Sequence, residues 1–310
     1  MDLSSLPADR SDDDDTAARS LAHWSEAGRS EMEAFYAFAS LDYELLARAL
    51  PWDATLTAVR DRRSLGAGTP LRLLDVACGS GKFPAALLAG ARLRDHLEAG
   101  IDYALLDPSA FSIAEAAGVL APPFVRGSAY ETTLEALDPS AGPWDVVWAT
   151  HALYALRPDR LQQAADRFVA AIAPGGLGFL AQGAGGGHYL RVYEAFLRGV
   201  RGSGTPYLGG EQVADALERA GAARDLRVHR HHLHYEHRVP LDDLGLLEGY
   251  LQRCLFDDTL GLDEMLVAPQ LGTYLAGCRD EQAGVYRFAQ DVLCATVLPE
   301  GVPSPWTAAS

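Results

Sequence analysis

Residues 73–83 read Leu73-Leu74-Asp75-Val76-Ala77-Cys78-Gly79-Ser80-Gly81-Lys82-Phe83. An apolar run reaches a carboxylate, passes two glycines and opens a second apolar stretch. This is the pattern of a strand, a tight turn and a helix start, which brings backbone close to a nucleotide-like ligand. Gly79 and Gly81 lack a Cβ, so the turn can bend sharply and lie against the ligand. Two features argue against a dinucleotide. Pro84 stands where the third glycine of GxGxxG belongs, and Asp75 would repel a pyrophosphate. A carboxylate there suits the ammonium of an amino-acid-like moiety.

A second acid fits the same ligand. Asp107 closes the next apolar run, 26 residues after Gly81. In nucleotide-binding α/β folds an acid at this place accepts hydrogen bonds from ribose hydroxyls. Asp107-Pro108-Ser109 also reads as a helix start with Ser109 as N-cap. Gly127-Ser128-Ala129 follows the third apolar run, where such folds contact the base.

The elements that must position these residues follow from periodicity. Thr16 to Leu50 repeats apolar residues at three-to-four spacing, which predicts helix, and Pro51 ends it. After Pro70 short apolar runs alternate with helical segments. Strands are predicted at Leu71–Val76, Tyr103–Leu106, Phe124–Val125, Trp144–Ala149 and Leu177–Ala181. Strands apolar on both faces and alternating with helices imply a Rossmann-like α/β fold with a doubly wound, mostly parallel sheet. The last third predicts helices through Tyr193 and Phe196, over Glu211–Ala220 and within 241–277, with strands at Val228–His237 and Val292–Leu298. The expected organisation is an acidic, disordered tail (1–15), then one domain. That domain comprises a helical N-terminal arm or lid (16–68), a cofactor-binding core (69–182) and a C-terminal cap elaboration (183–310).

Composition narrows the function. With 26 Lys and Arg against 42 Asp and Glu the net charge is -16, and no basic stripe is present. Nucleic-acid binding, which needs cationic surface, is not expected. No apolar run reaches the roughly 20 residues of a membrane helix, and the acidic start is unlike a signal peptide. A cytoplasmic protein, monomer or homodimer, is expected. Cys78, Cys254, Cys278 and Cys294 show no zinc-ligand spacing. His229, His231, His232, His234 and His237 alternate between two faces of a strand, which scatters them as ligands; an exposed, pH-sensitive strand is expected, and no metal.

The Asp-x-Ala-x-Gly-x-Gly pattern resembles motif I of class I methyltransferases, which implies S-adenosylmethionine as cofactor and a small-molecule methyl acceptor. The run Trp144-Asp145-Val146-Val147-Trp148-Ala149-Thr150-His151-Ala152-Leu153-Tyr154 resembles the fourth strand and loop of the histamine N-methyltransferase family. So do Leu106-Asp107-Pro108-Ser109-Ala110 and the closing Arg287-Phe288-Ala289-Gln290-Asp291-Val292-Leu293. The resemblance implies that Asp75, Ala77, Gly79, Gly81, Asp107, Ser112, Ser128 and Thr150 contact the cofactor. It implies Asp42 as anchor of a substrate amine, His151 beside the substrate ring as hydrogen-bond partner or proton acceptor, and Gln290 completing the catalytic set. Tyr36, Tyr154 and Tyr189 are the expected aromatic walls. His151 replaces a glutamine, Gln290 an asparagine and Ser112 a glutamine of that family, so the acceptor need not be histamine. The implied reaction is N-methylation by SN2 displacement. Two other readings stay open: a C- or O-methyltransferase of specialised metabolism, and a cofactor-binding relative that no longer transfers methyl groups.

Overall fold

The computed structural model describes residues 16–306 except 92, 94, 95 and 97. The expected acidic tail, 1–15, lies outside the described residues.

Eight strands form one sheet: β1 Leu71–Val76, β2 Ile101–Asp107, β3 Phe124–Glu131, β4 Trp144–Thr150, β5 Ile172–Gly183, β6 Leu226–Pro240, β7 Arg279–Asp280 and β8 Val285–Pro299. Their order is β3-β2-β1-β4-β5-β8-β6, with β7 pairing β8. β1 runs parallel to β2 and β4, and β5 parallel to β4. β8 inserts antiparallel between β5 and β6. The sheet is thus Rossmann-like and mostly parallel. Strand order reverses at β1 and β4, where a crevice opens beyond the carboxyl ends of the strands.

Helices cover both faces, which is why β1 is buried at all positions but Arg72 and β4 at every position. α3 (Trp52–Arg62), α4 (Lys82–Gly90) and α5 (Ala110–Val119) lie on one side. There Trp52, Phe83, Trp148 and Phe179 meet edge to face, with Trp52 and Phe179 centroids 4.9 Å apart. α6 (Leu161–Ala171) and α8 (Gly210–Ala222) pack on the other side around Phe168, Val213 and Leu217. A separate aromatic core joins α7 (His188–Phe196), α9 (Leu244–Leu255), α10 (Leu262–Val267) and α11 (Pro269–Cys278).

The N-terminal arm departs from the single expected helix. It divides into α1 (Thr16–His23) and α2 (Arg29–Ala49). The break is local: a Cβ on Gly28 would sit 2.4 Å from the His23 carbonyl, so only glycine allows the chain to double back. α3 lies inside the expected helical arm but beyond the helix read as far as Leu50; its Trp52, Leu56 and Val59, at helical spacing, are all buried. β3, β5, β6 and β8 all run longer than expected. The extensions of β3, β5 and β6 carry charged residues or glycines and follow pairing with a neighbour, while that of β8 adds the buried Tyr286 and Phe288.

Candidate active site

The glycine turn joins β1 to α4 at the crevice. Gly81 takes a φ of 70°, and a Cβ there would meet Val119 Cγ2 at 2.5 Å and Ala116 Cα at 2.9 Å in α5. Both backbone conformation and packing therefore demand glycine. Gly79, at φ 51°, donates its N–H to Asp107 Oδ2 (3.0 Å), and Ser109 donates its N–H to Oδ1 (2.9 Å). Asp107 so ties the turn to the end of β2. Each of its oxygens keeps a lone pair for a ligand. Burial raises its carboxyl above the ordinary value, opposed by these amide donors. Ser109 caps α5, its Oγ accepting from Ser112 N, as its sequence position predicts.

Ala77, at φ 50°, Asp107, Leu106 and Leu134 line a cavity of about 360 Å³. That volume falls in the range of small-molecule sites, roughly 300–1,000 Å³. Leu21 and Trp24 cover it from the arm, and Thr132 and Thr133 face it beyond β3. Ser80 Oγ, in the turn itself, is buried without a partner among the described residues. A mostly apolar cavity with an acid at the end of the second strand and a glycine turn tied to that acid fits a nucleoside joined to an amino acid.

Two of the expected cofactor residues lie away from this cavity. Ser128 lies inside β3, exposed, three residues short of its end, because the strand continues by pairing Ala129 and Tyr130 with β2. Thr132 and Thr133 take the cavity-facing place. Asp75 does not line the cavity; it turns into the core and accepts a hydrogen bond from Tyr103 OH at 2.7 Å. Burial pushes its carboxyl up to about 7. Thr150 and Ser112 are buried near the crevice, but neither lines the cavity.

A second, smaller cavity of about 60 Å³ adjoins the first, with Trp24 in the wall of both. Asp42, His151, Tyr36, Tyr154 and Tyr189, from three separate parts of the chain, all line it. Sequence reading had missed Tyr43, Tyr207, Phe256 and Arg253. Arg253 was legible as the one cation in the apolar face of a helix.

Asp42 is 2 % exposed and already partnered. His237 Nε2 lies 2.7 Å from Oδ1, and Tyr189 OH donates to Oδ2 at 2.6 Å. Burial works against its charge, but His237 overrides this and the carboxyl sits below its usual range. Asp42 is therefore no vacant anchor, although each oxygen retains a lone pair. Gln290 stands behind the wall: its Nε2 donates to His237 Nδ1 (3.2 Å), and Tyr250 OH lies 2.9 Å from the same nitrogen.

His151 follows β4 in a left-handed backbone conformation, φ 52°, uncommon for a residue with a Cβ. Gly183 N donates to Tyr154 OH at 2.9 Å, and that hydroxyl lies 2.7 Å from His151 Nδ1. A hydroxyl that accepts from Gly183 still has its own proton to give Nδ1, the arrangement that places the imidazole proton on Nε2. Nε2 is buried with no partner among the described residues. Burial lowers the imidazole pKa, partly offset by Asp42, so the ring is neutral near pH 7. In this tautomer His151 offers a donor; the expected alternative role, accepting a proton at Nε2, needs the opposite one.

The histidine-rich strand also differs from expectation. His237 is buried against Asp42 rather than exposed. His232 and His234, on the other face, meet Asp291 of β8 at 2.8 and 3.5 Å. These three could hold a divalent ion; the carboxylate comes from the antiparallel partner strand, which spacing within one strand does not reveal.

Residues 74–177, a third of the chain, match the family model described as a methyltransferase domain. No curated protein matches the chain in sequence. Among solved structures, the chain is similar to magnesium protoporphyrin IX methyltransferase from Synechocystis PCC 6803 with bound SAH. Identity is 12%, over 91% of this chain and 99% of that one, at a TM-score of 0.48. It is similar to the YcgJ protein from Bacillus subtilis (14% identity, 78% and 97% covered, TM-score 0.47). N-methyltransferase NodS from Bradyrhizobium japonicum WM9 gives 15% identity, 79% and 84% coverage and a TM-score of 0.39.

Proposed function

We propose that this chain is an S-adenosylmethionine-dependent methyltransferase acting on nitrogen of a small aromatic or heteroaromatic acceptor. The observation that carries the reading is the pair of cavities sharing Trp24: one lined by Ala77 at the end of β1 and by Asp107, the other an aromatic box. S-adenosylmethionine supplies an electrophilic methyl group, which the acceptor's lone pair takes while the carbon–sulfur pair returns to sulfur. The chain's task is then alignment, which can contribute roughly 7–11 kcal/mol to the lowering of a barrier.

Asp107 and the Gly79–Gly81 turn hold the cofactor, and Ala77 and Thr133 wall its nucleoside. Tyr36, Tyr43, Tyr154 and Tyr189 confine a planar ring. His151 Nε2 donates to an acceptor atom of the substrate. A free lone pair on Asp42 receives an N–H of the acceptor, which turns the opposite nitrogen toward the methyl group. Methylation leaves the ring cationic, and its N–H proton passes to water as the product leaves. α1 and Trp24 close the crevice against water.

Calorimetry with S-adenosylhomocysteine tests the cofactor site. Micromolar binding to the full chain, lost in Asp107→Ala, is expected. Absence of binding to the folded native chain sinks the reading.

A further inference from the structure

Arg253 differs from every other side chain in the aromatic cavity. It is 3 % exposed and comes from α9. Its Nη1 donates to the His23 carbonyl at 2.6 Å and to Glu31 Oε1 at 3.3 Å. Glu31 also bonds the His23 ring. Its guanidinium carbon lies 4.1 Å from the Trp24 ring centroid and 5.8 Å from that of Phe256, so two rings fix its plane. Its Nη2 is buried and has no partner among the described residues.

A buried N–H without an acceptor costs about 1–3 kcal/mol, so such a group calls for an explanation. Arg253 and His151 both line the cavity, and each carries one buried nitrogen, Nη2 and Nε2, without a partner among the described residues. Among the described residues these are the unmet buried side-chain atoms of the cavity-lining residues, and Arg253 Nη2 is a donor in every state. The acceptors there are not in the same position, since both oxygens of Asp42 already receive hydrogen bonds.

We infer that the acceptor molecule carries a carboxylate, and that Arg253 Nη2 docks it. The acceptor is then a planar aromatic or heteroaromatic acid, its ring among the tyrosines and its oxyanion at the Trp24–Phe256 end. Charge-assisted hydrogen bonds from arginine to carboxylate are among the strong ones. An ammonium at the same end would instead face the guanidinium. Which atom is methylated rests on the reading above; the subsite is a property of the cavity itself.

The test uses matched pairs with one ring and opposite charges: imidazole-4-acetate against histamine, and indole-3-acetate against tryptamine. Each is titrated by calorimetry into the full chain saturated with S-adenosylhomocysteine. The acid of at least one pair should bind ten times more tightly than its amine or better. In Arg253→Lys, which keeps a cation for Glu31 but loses the fork, that preference should fall below threefold, with folding checked by thermal melting. Equal binding, or tighter binding of the amines, overturns the proposal using the native chain alone. So does a preference that survives Arg253→Lys. Selective acid binding without methyl transfer to any acid upholds the subsite and counts against the enzymatic reading instead.

Discussion

Gly79 and Asp107 are joined by a 3.0 Å hydrogen bond from the loop amide to the carboxylate, across the ends of β1 and β2. The acid thus shapes the turn that is to cradle the cofactor, besides offering it a lone pair. Asp107→Ala removes both functions. Losing one or two hydrogen bonds to a charged group, each worth about 1.5–3 kcal/mol, should weaken S-adenosylhomocysteine binding at least tenfold. Isothermal calorimetry on the two proteins measures this.

Gly81→Ala should destabilise the fold rather than act on the ligand alone. The new Cβ would meet Val119 and Ala116 inside contact distance, at a left-handed φ. Overpacking costs typically about 1–3 kcal/mol. A lower urea midpoint with unchanged slope is the expected result.

Asp75 gives the fold a pH signature. Burial holds its carboxyl at about 7, above the value in an unfolded chain. Between pH 4 and 7 the folded state therefore keeps a proton that the unfolded state releases, so this group makes stability fall as pH rises through that window. In Asp75→Asn that slope should flatten, and the variant should gain relative to the native chain at pH 8. Urea unfolding of the ligand-free proteins at pH 5 and pH 8 gives the comparison.

His151 has the opposite sign. Its imidazole pKa is lowered by burial, so below pH 6.5 the unfolded chain binds a proton that the folded one resists, and stability falls as pH drops. Above pH 6.5 the ring stays neutral, so acceptor affinity should be level from pH 6.5 to 8.5. Replacing it with Phe should keep the cavity filled yet raise the acceptor KM several-fold, by loss of one donor. A KM profile over this range for both proteins checks it.

Asp42 and His237 form a buried pair. Removing one partner of such a pair costs about 3–5 kcal/mol. Asp42→Ala should thus lower the melting temperature markedly as well as activity, so activity must be compared on the folded fraction. An Asp42→Ala variant as stable as the native chain would contradict the pairing.

Local signals carried much of this architecture. Leu71–Val76 and Trp144–Ala149 were readable because apolar residues covered on both faces leave an unmistakable run, and Asp107-Pro108-Ser109 because an N-cap acts within one turn. Asp42, His151 and three tyrosines, far apart in sequence, line one cavity. What escaped was long-range. Nothing near Asp42 says that His237, 195 residues away, will pair with it. Asp75 sits beside the turn in sequence, but the alternation of β1 points it at Tyr103. Ser128 was misplaced because strand pairing, not hydrophobicity, extends β3 to Glu131.

The most direct measurement is transfer of a labelled methyl group from S-adenosylmethionine by the full chain, with imidazole, indole, aryl amine and phenol acceptors, each with and without a carboxylate. Label extracted on a ring-nitrogen acceptor, and lost in Asp107→Ala, is the predicted result. Label on none of them, from a folded chain that binds S-adenosylhomocysteine, would contradict the account.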